Sequence, residues 1–249
     1  MQEIQAIIER VRRVSPSLQR LDVAINRAQA TMDISPGQLF LARTTFSLDP
    51  FLREPWTPVQ RNGTVITVEL PTGSVYEPEQ FVSLLGPIGK PIPVKDNLRT
   101  LLLIAIESTP ASLLLLAQSM LKRVAGVTLV LLGAATQYPL DLLPKEIEIA
   151  HAESLAQWSG KDQALKWADQ IVAVAPPPFD LEHYQRLSEE VRRVRMNVPE
   201  NYLFGLFQPP MPCGVGACAA CLIRCGGEDV ATCLEGPAFD LTTIIKHQG

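Results

Sequence analysis

The sequence predicts an antiparallel β-barrel over residues 1–96, a parallel α/β domain over 97–199 and a small cysteine-bearing module over 200–249. Three observations carry that division. Apolar and polar residues alternate with a period of two through the first part. Continuous apolar runs alternate with helical patterns through the second. All five cysteines fall between positions 213 and 233, and none precedes them. The 249 residues are 47% hydrophobic and 19% charged, which gives ample core and excludes a disordered chain. A net charge of −4, with no basic stripe, argues against a nucleic-acid partner.

In the first part, Ile4, Ala6 and Ile8 alternate with polar neighbours, as do Leu21, Val23 and Ile25 before the Ser35-Pro36-Gly37 turn. Arg61-Asn62-Gly63 signals a hairpin leading to Val65–Val68. Short strands at regular spacing suit a barrel. From Leu98 the rhythm changes. Leu101–Ile106 reads as a buried strand, Ala111–Val124 as an apolar helix and Val127–Leu132 as a second strand. Glu146–Ala150 and Gln170–Ala175 read as further strands, Phe179–Val194 as an amphipathic helix and Tyr202–Phe207 as a last strand. The longest apolar stretch is interrupted by Glu107-Ser108-Thr109-Pro110, so no membrane span is expected. The N-terminus lacks the pattern of a secretory signal, which makes the cytoplasm the expected compartment.

Cys213, Cys218 and Cys221 have the C-x4-C-x2-C spacing of plant-type 2Fe-2S sites, and Cys233 can supply a fourth thiolate. Such a loop must wrap three sulfurs around one centre with its amides pointing inward. Gly214 and Gly216 allow that backbone, and Ala217, Ala219 and Ala220 keep it uncrowded. Four thiolates also suit structural zinc, although zinc favours paired short-spaced knuckles and only one close pair is present. Cys225 competes with Cys233 for the fourth position; a ligand so soon after Cys221 has little room to reach round the centre. His151, His183 and His247 show no metal spacing.

The pattern Met-x-Cys-Gly-x-Gly-x-Cys-x2-Cys-x11-Cys-x2-Gly-Pro-x-Phe, from Met211 to Phe239, resembles the cluster-binding segment of the electron-transfer subunits of class 1B dihydroorotate dehydrogenases. These are ferredoxin reductase-like flavoproteins. Pro36-Gly37-Gln38-Leu39-Phe40, the segment Asp49–Thr57 and Leu85-Gly86-Pro87-Ile88-Gly89 resemble further motifs of that family. The resemblance implies a flavin-type barrel, a nucleotide-type α/β domain and a 2Fe-2S module. It implies FAD, with Trp56 stacking on the isoalloxazine, Thr57 offering a hydroxyl, and Gly73-Ser74 keeping part of a second flavin motif. It also implies a catalytic oxidoreductase subunit as partner, with substrate chemistry on that other chain.

Three places depart from the family. Glu54 stands where the flavin loop carries an arginine, a charge reversal facing a pyrophosphate, and neighbouring Arg53 points to the opposite face of an extended segment. After the first strand of the α/β domain, Glu107-Ser108-Thr109-Pro110 replaces a glycine-rich turn, and Val174-Ala175-Pro176-Pro177-Pro178 replaces a Cys-Gly-Pro motif. NAD(P)H binding is therefore expected to be weak or absent. These losses also leave open a non-catalytic iron–sulfur scaffold or redox-sensing subunit.

Overall fold

The structure is a computed structural model that describes residues 1–25, 34–44, 51–123 and 126–245. Asp49 and Pro50 of the flavin-loop segment, the Val124 end of the first expected helix, and His247 lie outside them.

Seven strands form the first sheet: β1 (Gln2–Arg13), β2 (Leu18–Ile25), β3 (Leu39–Thr44), β4 (Glu54–Trp56), β5 (Pro58–Asn62), β6 (Val65–Pro71) and β7 (Phe81–Ile88). They pair antiparallel in the order β4-β3-β7-β1-β2-β6-β5. The two outermost strands are separated in sequence by Thr57 alone, so the sheet must curl until its edges approach, as a half-barrel. The period-two pattern decides which face is enclosed: Ile4, Ala6, Ile8, Leu21 and Val23 are buried with Phe40, Trp56, Ile66 and Leu84. The Asn62–Val65 end of the β5–β6 hairpin turns at Gly63, whose φ of +60° lies in the left-handed region.

The second sheet is built from β8 (Thr100–Ile106), β9 (Gly126–Leu132), β10 (Glu148–Ala152), β11 (Gln170–Val174) and β12 (Leu203–Leu206), with helices α1 (Ala111–Leu121), α2 (Lys161–Trp167) and α3 (Asp180–Val194). The tail adds β13 (Leu222–Cys225), β14 (Glu228–Ala231), α4 (Thr232–Glu235), β15 (Ala238–Asp240) and α5 (Leu241–Ile245). The order is β10-β9-β8-β11-β12-β15, parallel throughout except for β15. Alternate residues of one strand face opposite layers: Leu101 and Leu103 pack with α1, whereas Leu102 and Ile104 pack with Leu165 of α2 and with Tyr184, Leu187 and Val191 of α3. α1 is apolar on nearly every side because it lies between this sheet and β5 of the barrel, reaching Val59.

Three expectations needed correction. β10 begins at Glu148 rather than Glu146, because Ile147 is still held in a turn by Pro144. Lys161–Trp167, to which the sequence pattern assigns no element, forms α2. Finally, β12 and β15 pair into the second sheet, so a boundary between 199 and 200 falls inside it.

A buried polar group joins the two bodies. Arg20 Nε donates to Glu69 Oε2 at 3.1 Å, and its Nη2 to the Tyr138 hydroxyl at 2.7 Å. That hydroxyl donates to Glu69 Oε2 at 2.7 Å, and Thr109 Oγ1 donates to Glu69 Oε1 at 3.0 Å. The side chains of Arg20 and Glu69 are 8% and 1% exposed, which makes this a desolvated pair with its lone pairs satisfied.

Candidate metal centre

The cysteine loop lies against the end of the barrel. Met211, Cys221 and Cys233 are buried with Leu39, Leu41 and Ile88. The amide of Gly89, just past β7, donates to the carbonyl of Cys233 at 3.1 Å, and that of Lys90 to Gly236 at 2.6 Å. The barrel's closing segment thus seats the helix that carries the fourth thiol.

Two glycines are dictated by the wrapping. Gly214 has φ +68°, and a Cβ there would overlap Ile88 and lie 2.9 Å from Leu41 Cδ1. Gly216 has φ +73°, and a Cβ there would come within 2.5 Å of Leu234. At both positions a side chain would have to push aside the ends of its neighbours and adopt a left-handed backbone, the larger obstacle. Ala219, at φ +56°, is the one non-glycine residue of the loop in that region.

Cys221 and Cys233 are brought together by the β13–β14 hairpin. Leu222 pairs with Ala231 and Cys225 with Glu228 around a two-residue Gly226-Gly227 turn, both glycines having positive φ. The base of the hairpin therefore sets Cys221 beside Thr232, whose amide donates to the Cys221 carbonyl at 3.0 Å. Cys225 lies at the far end, four residues along an extended strand from Cys221, which is roughly 13 Å. It packs with Ile223 and Val230 against the second sheet's core, and burial, with the charge of Asp240, raises its pKa. The structure thus places Cys225 away from the other four thiols.

Cys218 lies near enough to Cys213, and Cys221 to Cys233, for their thiols to interact, and Cys233 also feels Cys213. Amides point at the sulfurs: Val215 N lies 3.5 Å from Cys213 Sγ, and Gly216 N lies 3.2 Å from Cys233 Sγ. The amide of Val215, reinforced by the Cys218 thiol and the amides of Cys218 and Ala217, holds the Cys213 pKa down to about 6 against the effect of burial. Burial, together with the neighbouring Cys221 thiol, pushes Cys233 up to about 11, against the Gly216 amide. Among the described residues, no three His, Cys, Asp or Glu side chains gather closely enough to hold a metal ion as they stand. Paired thiols with inward amides suit a centre with two irons, each taking two thiolates. Cys218 is exposed, as are the apolar side chains of Val215, Leu222 and Leu234, each by more than two-fifths.

On the barrel, Trp56 and Ser74 line a cavity of about 240 Å³ with Arg43, Thr44, Glu54 and Tyr76. Thr57 lies between β4 and β5, and Gly73 in the exposed turn after β6; neither lines the cavity. Trp56 is 1% exposed and packs edge to face on Tyr76, with ring centroids 5.5 Å apart. Its Nε1 is buried beside the Tyr76 hydroxyl without good hydrogen-bond geometry. Glu54 Oε2 accepts from that hydroxyl at 2.8 Å, and burial, reinforced by Glu54, raises the Tyr76 pKa and keeps the phenol protonated. Arg53 turns away to Ser83 (3.0 Å) and Glu3 (2.5 Å). The cation in this cavity is Arg43 of β3, a residue that the sequence motifs do not single out. The Thr44 and Ser74 hydroxyls and one guanidinium form a donor set that suits a flavin's carbonyls and phosphates, beside the Glu54 carboxylate, whereas the buried indole of Trp56 presents no open face for the isoalloxazine stacking that the resemblance implies. The volume is below the 300 Å³ or so of typical cofactor sites, so it admits a ring system rather than a whole dinucleotide.

Residues 208–245 match the family described as the iron-sulfur cluster binding domain of dihydroorotate dehydrogenase B. The chain is 24% identical over 227 residues to the electron transfer subunit of dihydroorotate dehydrogenase B (NAD(+)) from Geobacillus sp. (strain WCH70), covering 85% of this chain and 87% of that one. It is 26% identical over 226 residues to the same subunit from Geobacillus kaustophilus (strain HTA426), covering 84% and 86%. Among solved structures, an NADH-dependent reduced ferredoxin–NADP oxidoreductase superposes with a TM-score of 0.70 over 97% of this chain and 93% of that one, at 16% identity. Phthalate dioxygenase reductase superposes with a TM-score of 0.60 at 10% identity, over 81% and 66%. The fold is therefore ferredoxin reductase-like. None of these relatives lends support to the scaffold reading. No helix among the described residues is long and apolar enough to cross a membrane.

Proposed function

We propose that this chain is the electron-transfer subunit of a two-chain oxidoreductase related to dihydroorotate dehydrogenase B, with Cys213, Cys218, Cys221 and Cys233 holding a 2Fe-2S cluster. The observation that carries the reading is the pairing of the four thiols, with the Val215 and Gly216 amides directed at Cys213 and Cys233. A bound cluster supplies one-electron redox chemistry, its potential set by amide-to-sulfur hydrogen bonds and burial. The protein's part is to orient the thiolates, to neutralise them with backbone dipoles and to leave one side of the centre near solvent. The exposed apolar side chains of Val215, Leu222 and Leu234, in the same module as the thiols, give a catalytic partner subunit a surface on which to approach. FAD is the second cofactor of this reading. Thr44, Ser74 and Arg43 are its contacts on the barrel, with Arg43 in place of the arginine lost at Glu54. Free thiols suit a reducing compartment, which supports a cytoplasmic location.

Anaerobic reconstitution with iron and sulfide tests this, with iron, sulfide and flavin quantified on one sample. Two irons and two sulfides per chain are expected, with an electron paramagnetic resonance signal on reduction. A colourless protein binding one zinc would overturn the reading.

A further inference from the structure

The parallel sheet has one topological switch point. From β8 the chain moves to β9 and β10 on one side and then returns to β11 on the other. In open α/β sheets, ligands bind in the crevice outside the carboxyl ends of the strands at such a point, with anionic groups on backbone amides there. Glu107 is the residue that follows β8. It adopts φ +52°, a left-handed conformation unusual for a glutamate, and this directs its side chain across to the end of β9. There Oε2 accepts the Ala134 amide at 2.7 Å, and the carboxylate lies so close over Gly133 that a Cβ at that position would overlap it. The Glu107 amide donates to the Leu132 carbonyl at 2.9 Å, fixing the crossing. Two residues on, Thr109 Oγ1 accepts the Ala111 amide at 3.2 Å and donates to Glu69, so the entrance to α1 is also capped from within the chain. The adjoining cavity, about 390 Å³, has Glu107, Glu189 and Glu190 on its wall against Arg186 and His183. Arg186 is already paired with Glu182, and Glu190 with Lys161 and Arg193.

We propose that the Glu107 carboxylate is a built-in occupant of the anion position at this switch point and closes the crevice to nicotinamide dinucleotides. The chain itself supplies the negative group that a dinucleotide phosphate would bring. This inference rests on the α/β domain alone and stands or falls separately from the cluster.

The test measures binding of NADH and of ADP to the full-length protein by calorimetry at low salt, for the wild type, Glu107→Gln and Glu107→Gly. The first variant keeps the shape and removes the charge. The second also suits the left-handed backbone and vacates the Ala134 amide. Wild type is expected to show no saturable binding of either probe. Both variants are expected to bind ADP at least about tenfold more tightly than the wild-type limit, the least effect of removing a full charge beside a phosphate, and to lose that gain at high salt. Wild-type binding of NADH at low micromolar concentration would overturn the proposal. So would unchanged affinity in Glu107→Gln with an unchanged circular dichroism spectrum, whatever the glycine variant does.

Discussion

Replacing Arg20 with alanine removes the cation from the group that joins barrel and α/β domain. Glu69 would keep the Thr109 and Tyr138 hydroxyls, at 3.0 and 2.7 Å, but its side chain is only 1% exposed and, among the described residues, no other cation is hydrogen-bonded to it. Breaking a buried pair from one side leaves an uncompensated charge and costs about 3–5 kcal/mol. For a chain of this size each kcal/mol is worth about 2–4 °C of Tm, so a fall of roughly 10 °C is expected. Scanning calorimetry of the cluster-loaded protein would measure it. The companion double variant Arg20→Met with Glu69→Met removes both charges and keeps most of the volume. It should recover more than half the loss, because desolvating the pair offsets much of its attraction. A single-variant cost below about 1 kcal/mol, or a double variant worse than the two singles combined, would refute the argument.

Other outcomes follow from the same geometry. Cys225→Ser should reconstitute with full iron content and colour, whereas Cys218→Ser and Cys233→Ser should each lose the cluster; colourless Cys225→Ser protein would contradict the ligand set. Gly214→Ala forces a methyl group between Ile88 and Leu41 at a left-handed backbone position, costing about 2–5 kcal/mol from overpacking and conformation together. Reduced iron occupancy and an earlier unfolding midpoint would register it. In metal-free protein, iodoacetamide should label Cys213 with a midpoint near pH 6, since a thiol whose pKa is lowered to about 6 is thiolate above that pH, and leave Cys233 unlabelled below about pH 9. Peptide mass spectrometry across pH reads both sites, and a Cys213 midpoint above pH 8 would count against the role assigned to the Val215 amide.

The barrel and the parallel sheet were legible because burial imposes simple periods on them. Ile4, Ala6 and Ile8 could alternate only on a strand with one enclosed face, and Leu101–Ile106 could be apolar throughout only on a strand covered on both. α2 was not legible because it is short and buries only Lys161 and Leu165, which gives no stripe. The cysteine spacing announced the chemistry but not the pairing. That depends on the β13–β14 hairpin, for which the Gly226-Gly227 turn is the sequence signal. On the barrel, Glu54 was legible as a lost cation, but Arg43 was not legible as a replacement, since only the β3–β4 pairing brings it to that cavity. Likewise Glu107 could be read as a charge of the wrong sign. Its acceptor role depends on Gly133 and Ala134, which lie beyond α1 and β9 and meet it only in the folded sheet.

The ribbon that separates the last two candidate ligands has a consequence for how such modules diverge. Because Cys221 and Thr232 face each other at its root, the two thiols stay in place however long the ribbon grows, provided that residues are added to both limbs together. Insertions of even length at the Gly226-Gly227 tip are therefore tolerable, and a single extra residue in one limb is not, because it would turn every later side chain over and carry Cys233 off its partner.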